Sequence, residues 1–210
     1  MTERPLRLAA IVLAAGAGSR FSGQPGEKLL APIDGQPMLA RVLETVRQHQ
    51  PATTIVVLGH GAAAIESAID WAGEARIHNE DPDRGVASSL KIGFDALESL
   101  PDEVDGAFVV LGDQPDLHAT TMDALAHAAA DPASAGKPLI VPRYADDPGP
   151  RNPVLVRRWG WPLIAEVSGD HGLAPFIAQR PELVVDVPVP GAMPDIDRPQ
   201  DLEALHRSRP

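Results

Sequence analysis

The chain has 210 residues, of which 44% are hydrophobic and 22% charged, the proportions of an ordinary soluble protein able to build a sizeable core. Its 18 Lys and Arg against 29 Asp and Glu give a formal charge of −11, which argues against nucleic acid or a membrane surface as partner. No cysteine is present, which removes disulfides, thiolate metal ligands and a cysteine nucleophile.

In chain order, "MTERPLRLAAIVLAAG" carries an apolar run too short to span a bilayer, and it runs into glycine. We read "AAIVLAA" (9–15) as a buried first strand rather than a secretory signal, and the location as cytoplasmic. The glycine-bearing loop "GAGSRFSGQPGEK" follows, and "IDGQP" (33–37) predicts a tight turn at its Asp-Gly pair. "MLARVLETVRQH" places Leu39, Val42, Leu43 and Val46 on one helical face, and "TIVVLG" (54–59) is the second strand. "GVASSLKIGFDALESL" is a helix with Val86, Leu90, Phe94 and Leu97 on one side, leading to the strand "GAFVVLG" (106–112). A helix over "TMDALAHAAA" and the strand "PLIVPRY" (138–144) follow. The Pro- and Asp-rich "YADDPGPRNP" (144–153) reads as an irregular surface loop. The strand "LVVDVPV" (183–189) and the helix "RPQDLEALHRS", with Pro199 in its first turn, end the series. Continuous apolar strands alternating with amphipathic helices predict an α/β class: a doubly wound, mostly parallel sheet. No linker separates two cores, so residues 1–210 are expected to form a single domain.

Ligands of such sheets bind beyond the carboxyl ends of the strands, and three polar loops fall there: "GAGSRFSGQPGEK", "GH" and "GDQPD". In the first, Gly16 and Gly18 let backbone N–H groups approach an anion, with Arg20 and Lys28 as accompanying cations. The dinucleotide pattern GxGxxG fails because Phe21 stands where its third glycine belongs, which also counts against a dehydrogenase. The Walker pattern fails because Leu29 follows Lys28. Asp113 ends a buried strand just before Pro115 and is a candidate ligand for Mg²⁺, which takes one or two carboxylates plus phosphate oxygens. Asp195 and Asp197 alternate before the last helix, where they read equally as metal ligands or as a helix cap.

The ordered segments "LAAGAGSRFSGQPGEKLL", "NEDPDRGVASSLKIG", "LGDQP", "NPV", "SGDHG" and "DIDRPQDL" resemble the MobA-like nucleotidyltransferase family over nearly the whole chain. The opening Leu13-Ala14-Ala15-Gly16 is most similar to its molybdenum cofactor cytidylyltransferase branch; the guanylyltransferase branch typically has two glycines there. The resemblance implies a Rossmann-like nucleotidyltransferase fold that transfers CMP from CTP to a molybdopterin-type cofactor with Mg²⁺. It further implies nucleotide contacts from Leu13, Ala14, Ala15, Gly16, Gly18 and Ser19, with Arg20 and Lys28 on the triphosphate. Asn79, Gly85, Ser88 and Ser89 would hold the nucleoside, and Asp113 with Asp197 or Asp195 the metal. Asn152, Pro153, Gly169, Asp170, His171 and Gly172 would line the acceptor side. A molybdenum hydroxylase apo-enzyme or its chaperone would be the protein partner. Two departures stand out: "SGQPGE" lengthens the loop before Lys28, and "GPRNPV" lacks the Gly-His pair many relatives carry before Pro-Val.

The rival readings are GTP as donor, phospholactate or a sugar phosphate as acceptor, and a non-catalytic nucleotide or cofactor-binding chaperone. Of the seven histidines, His171 has the strongest case for an orienting contact. His60 reads as a loop residue, and His49, His118, His127 and His206 as solvated. Trp71, Trp159 and Trp161 read as packing residues.

Overall fold

A computed structural model describes residues 4–21, 24, 26–101, 103–147, 151–194 and 196–208. Its elements in chain order are β1 (Leu8–Ala14), α1 (Glu27–Leu30), β2 (Pro32–Ile33), β3 (Gln36–Pro37), α2 (Met38–His49), β4 (Thr54–Leu58), α3 (Ala62–Ala68) and β5 (Ala75–His78). Then come α4 (Val86–Glu98), β6 (Gly106–Leu111), α5 (Ala119–Ala130), β7 (Leu139–Tyr144), β8 (Val154–Arg157), a 3₁₀ stretch (Arg158–Glu166), α6 (Ala174–Gln179), β9 (Val184–Val189) and α7 (Pro199–Ser208).

Seven strands form one mixed sheet in the order β5-β4-β1-β6-β8-β7-β9. All pairings are parallel except those of β8, which runs antiparallel to both β6 and β7. Alternate residues of β1 feed opposite cores, as strand periodicity requires. Ala10 and Val12 pack with Leu39, Leu43 and Met122 from α2 and α5, while Ala9 and Ile11 pack with Leu90, Phe94 and Trp161. Every β1 residue is buried, which is why the segment is apolar on both faces. Among the described residues no helix is long and apolar enough to cross a membrane.

The predicted turn is a two-residue hairpin between β2 and β3, with Asp34 at φ 50° and Gly35 at φ 86°, the left-handed pair of a type I′ connection. It carries Ile33 into a third cluster with Met38, Ile196 and Leu205. That cluster ties the hairpin to the segment before α7 and so brings Asp197 back from the far edge of the sheet towards β1.

Two histidine and tryptophan expectations need correction. His49 is not solvated: its Nδ1 lies 2.7 Å from Asp123 Oδ1 and its ring meets Phe108 edge-on at 4.9 Å. Trp161 is buried as expected, but Trp159 is 54% exposed. The side chain of His206 lies outside what the structure describes.

Candidate functional site

Parallel strands put all their carboxyl ends on one edge, and the loops leaving that edge form a cleft of about 470 Å³. Of the residues expected to hold nucleotide, Leu13, Ala14, Ala15, Gly16, Gly18, Ser19, Arg20, Lys28, Gly85 and Ser89 line it. So do Asp113, Asp197 and Asp170. A side chain at Gly16 would meet no protein atom within 4 Å, so the loop faces open space there.

Lys28 is the pivot of the arrangement. It is 8% exposed, and its Nζ donates to Asp113 Oδ2 at 2.6 Å and to Asp197 Oδ1 at 3.4 Å. Arg20 Nη1 reaches the other Asp197 oxygen at 2.7 Å. Asp113 comes directly off β6, where the Gly112 N–H donates to the Leu13 carbonyl at 2.9 Å and fixes the loop to β1. Asp197 is released from capping α7: Asp201 accepts the N–H groups of Asp197 and Arg198 at 3.0 and 2.7 Å. The helix-cap reading of Asp197 therefore gives way, because its carboxylate faces two cations instead. Asp195 lies outside the described residues.

Charge balance changes how this cleft must be read. Among the described residues Asp83, Asp113, Asp170 and Asp197 line it against Arg20 and Lys28, so carboxylates there outnumber Lys and Arg by two. Both cations already face Asp113 or Asp197, so they do not stand free for an anion as the sequence suggested. A polyanion entering such a cleft needs further positive charge. Asp113 and Asp197 supply a suitable donor set, since two hard carboxylate oxygens converge on one point, now the Lys28 ammonium. Among the described residues no three metal-ligating side chains come together, so any ion here would depend on ligand oxygens as well.

Asn79 is placed differently from its expected role. It is 5% exposed and absent from the cleft lining; its Nδ2 donates to Ser88 Oγ at 2.8 Å and Ser89 Oγ at 2.9 Å. Its Oδ1 accepts the Asp81 N–H at 3.0 Å. It thereby fastens the loop after β5 to the first turn of α4, and only Ser89 of the two serines reaches the cleft. Gly85, at φ 89°, lets the 168–172 loop sit against that turn: a Cβ there would lie 2.8 Å from the Gly169 carbonyl. The Ala87 N–H donates to the same carbonyl at 3.1 Å. Asp170 alone of that loop lines the cleft; Gly169, His171 and Gly172 do not.

Asn152 and Pro153 precede the antiparallel β8, so they lie at the same edge as Asp113 but outside the cleft lining. Extending the Val109↔Val154 register by two places sets Asn152 level with Leu111. Buried Tyr144 holds that position by donating its hydroxyl to the Asn152 carbonyl at 2.8 Å. Burial, with Asp147 adding to it, outweighs a hydrogen bond with Thr121 and pushes the Tyr144 pKa up to about 12, so the group remains a neutral donor at ordinary pH.

The "GH" loop expected at this edge does bring His60 to the cleft, whereas Asp83 was not anticipated there. His60 Nε2 lies 2.8 Å from Asp83 Oδ1 across its mouth.

Residues 10–184 match the family described as the MobA-like NTP transferase domain. The chain is 37% identical over 130 residues to the bifunctional protein GlmU of Novosphingobium aromaticivorans, a match taking in 60% of this chain and 28% of that protein. The chain thus spans little more than a quarter of that relative's length. Its structure is similar to that of an Rv0371c homolog from Mycobacterium sp. strain JC1, with a TM-score of 0.81 and 30% identity over 96% of both chains. Rv0371c from Mycobacterium tuberculosis H37Rv superimposes with a TM-score of 0.78 and 28% identity over 97% of this chain and 100% of that one. A second structure of Rv0371c, in complex with manganese, gives 0.77 and 26% over the same shares.

Proposed function

The chain belongs to the MobA-like NTP transferase domain family, and on that footing we propose that it moves CMP from CTP onto the terminal phosphate of a molybdopterin-type molybdenum cofactor, releasing pyrophosphate. The observation that carries nucleotidyl transfer is the cluster of Lys28, Arg20, Asp113 and Asp197 beneath a glycine loop that opens into empty space. The choice of cytidine rests on Leu13-Ala14-Ala15-Gly16, and that of acceptor on the resemblance of the later segments.

Asp113 and Asp197 would hold Mg²⁺, which supplies positive charge to phosphate oxygens in a cleft otherwise acidic. That manganese accompanies Rv0371c in a crystal supports a divalent ion for this reading. The backbone of 14–18 would cradle the triphosphate, and Arg20 and Lys28 would neutralise the leaving charge. Ser89, fixed by Asn79, and Gly85 would border the nucleoside. Asn152, pinned by Tyr144, and Asp170 would orient the acceptor.

In the transfer, an oxygen of the acceptor phosphate forms a bond to the α-phosphorus while the bridge to the β-phosphate breaks, and the electron pair departs with pyrophosphate. The chain need not take up a proton. A phosphate monoester has a second pKa of about 6 and is largely dianionic at neutral pH. The protein's task is therefore to bring two polyanions together in line and screen their repulsion.

Pyrophosphate release with each of the four nucleoside triphosphates, with and without molybdenum-loaded molybdopterin, tests the reading. CTP is expected to give release that depends on the acceptor and stops in EDTA. Preferential use of GTP would reassign the donor, and no release with any triphosphate would remove the enzyme reading.

A further inference from the structure

Resting on the nucleotidyl-transfer reading, we propose that Lys28 is an exchangeable plug: its ammonium closes the gap between Asp113 and Asp197 to a divalent cation until a triphosphate draws it away. Nucleotide and metal then enter together, and the nucleotide-free protein discriminates against metal.

The geometry makes the two cations alternatives. A small divalent ion sits about 2.0–2.1 Å from its carboxylate oxygens. The Lys28 nitrogen lies 2.6 and 3.4 Å from one oxygen of each carboxylate, so it fills the space on which both converge. An ion bound to both oxygens would lie against the largely buried Lys28 ammonium, and like charges in direct contact repel even where the carboxylates are partly open to solvent. The Lys28 side chain is only 10% exposed, so it does not leave the carboxylates for bulk water without cost. It needs a replacement anion.

Such an anion would arrive within reach. A Cβ placed on Gly18 would lie 3.0 Å from Lys28 Cβ, which shows that the lysine stem runs directly beneath the glycine loop. Rotation of the flexible four-carbon stem carries the ammonium from the carboxylates towards that loop with no change in the backbone. The nucleotide takes the ammonium and the carboxylates take the metal. Binding linkage makes the effect reciprocal: whatever factor nucleotide adds to metal affinity, metal adds to nucleotide affinity.

Arg20 provides the control. It pairs with the same Asp197, carries the same unit charge and is 72% exposed, so it stands outside the gap. Mn²⁺ binding is measured by electron paramagnetic resonance of the free ion, without nucleotide, on the whole chain as wild type, Lys28→Met, Lys28→Gln and Arg20→Met. The plug predicts that both Lys28 variants bind Mn²⁺ at least about tenfold more tightly than wild type, within the usual range of coupled sites. Arg20→Met should gain no more than about threefold, the effect of removing one exposed, screened charge. Equal gains for the Lys28 and Arg20 variants would reduce the effect to net charge and overturn the plug, as would no gain in either Lys28 variant. Failure of the functional reading is separate, because it appears in wild-type pyrophosphate release whatever the variants bind.

Discussion

Asp113→Asn is expected to lower turnover about a thousandfold without weakening nucleotide binding in EDTA. The substitution keeps the shape of the side chain and removes its charge. Among the described residues its carboxylate is one of two that converge on the Lys28 ammonium, so half of that acidic pair is lost at a stroke. Several kilocalories per mole of transition-state stabilisation, the ordinary contribution of a metal at a phosphoryl centre, correspond to about three decades in rate. Affinity behaves differently because, in the absence of metal, this carboxylate repels a triphosphate and holds the Lys28 ammonium away from it, so its loss should leave binding equal or tighter. Steady-state pyrophosphate release at saturating Mg²⁺, together with calorimetric CTP binding in EDTA, separates the two effects. Full activity in Asp113→Asn would remove the metal assignment.

Gly59→Ala should damage both stability and nucleotide affinity, although residue 59 carries no chemistry. A Cβ at this position would stand 2.7 Å from the Ala15 carbonyl oxygen, 2.8 Å from its Cβ and 3.0 Å from its Cα. None of these atoms is the loose end of a flexible chain. The strand end or the loop must shift, and Ala15 also accepts the His60 N–H at 3.3 Å, so both sides of the cleft are strained together. Overpacking of this kind costs about 1–3 kcal/mol. For a chain of this size that lowers the melting temperature by between about 2 and 12 °C. Displacing the triphosphate loop by even a fraction of an ångström should raise the KM for CTP about tenfold or more. Gly136→Ala, where a Cβ meets nothing within 4 Å, is the matched control and should change neither quantity. A Gly59→Ala protein with wild-type KM would show that the position of the loop does not govern nucleotide binding.

The parts of the fold that could be read from sequence are those whose burial leaves a periodic trace. The apolar run at 9–15 is buried in β1, and the 3.6-residue spacing of Leu39, Val42, Leu43 and Val46 is the buried face of α2. The Asp34-Gly35 hairpin was legible because only a left-handed pair closes that turn. Two strands were not. β5, at the open edge of the sheet, buries none of its four residues fully, so no apolar run marks it. β8 was hidden behind the pattern Asn152-Pro153, and its reversed direction follows from non-local pairing with β6 and β7.

The site shows the same division. Residues on the loops leaving β1 and β6 were recognisable by position, since a parallel sheet gathers such loops at one edge. What no local pattern disclosed is how they engage each other. Lys28 and Asp113 are 85 positions apart, and Lys28 and Asp197 are 169 apart. Their contact depends on the Ile33–Met38–Ile196–Leu205 cluster that folds the approach to α7 back over the sheet. Asn79, expected to help hold the nucleoside, turns its amide inward to Ser88 and Ser89, an arrangement that no local pattern disclosed either.

The central claim is that the loop after β1 and the Asp113–Asp197 pair form one site for a triphosphate and its metal. Anomalous diffraction from crystals grown with Mn²⁺ and CTP measures this directly. The account predicts a manganese peak bonded to Asp113 and Asp197, triphosphate density along residues 14–20, and the Lys28 ammonium turned from the carboxylates to the phosphates. A manganese peak remote from both aspartates, or nucleotide bound away from that loop, would contradict it.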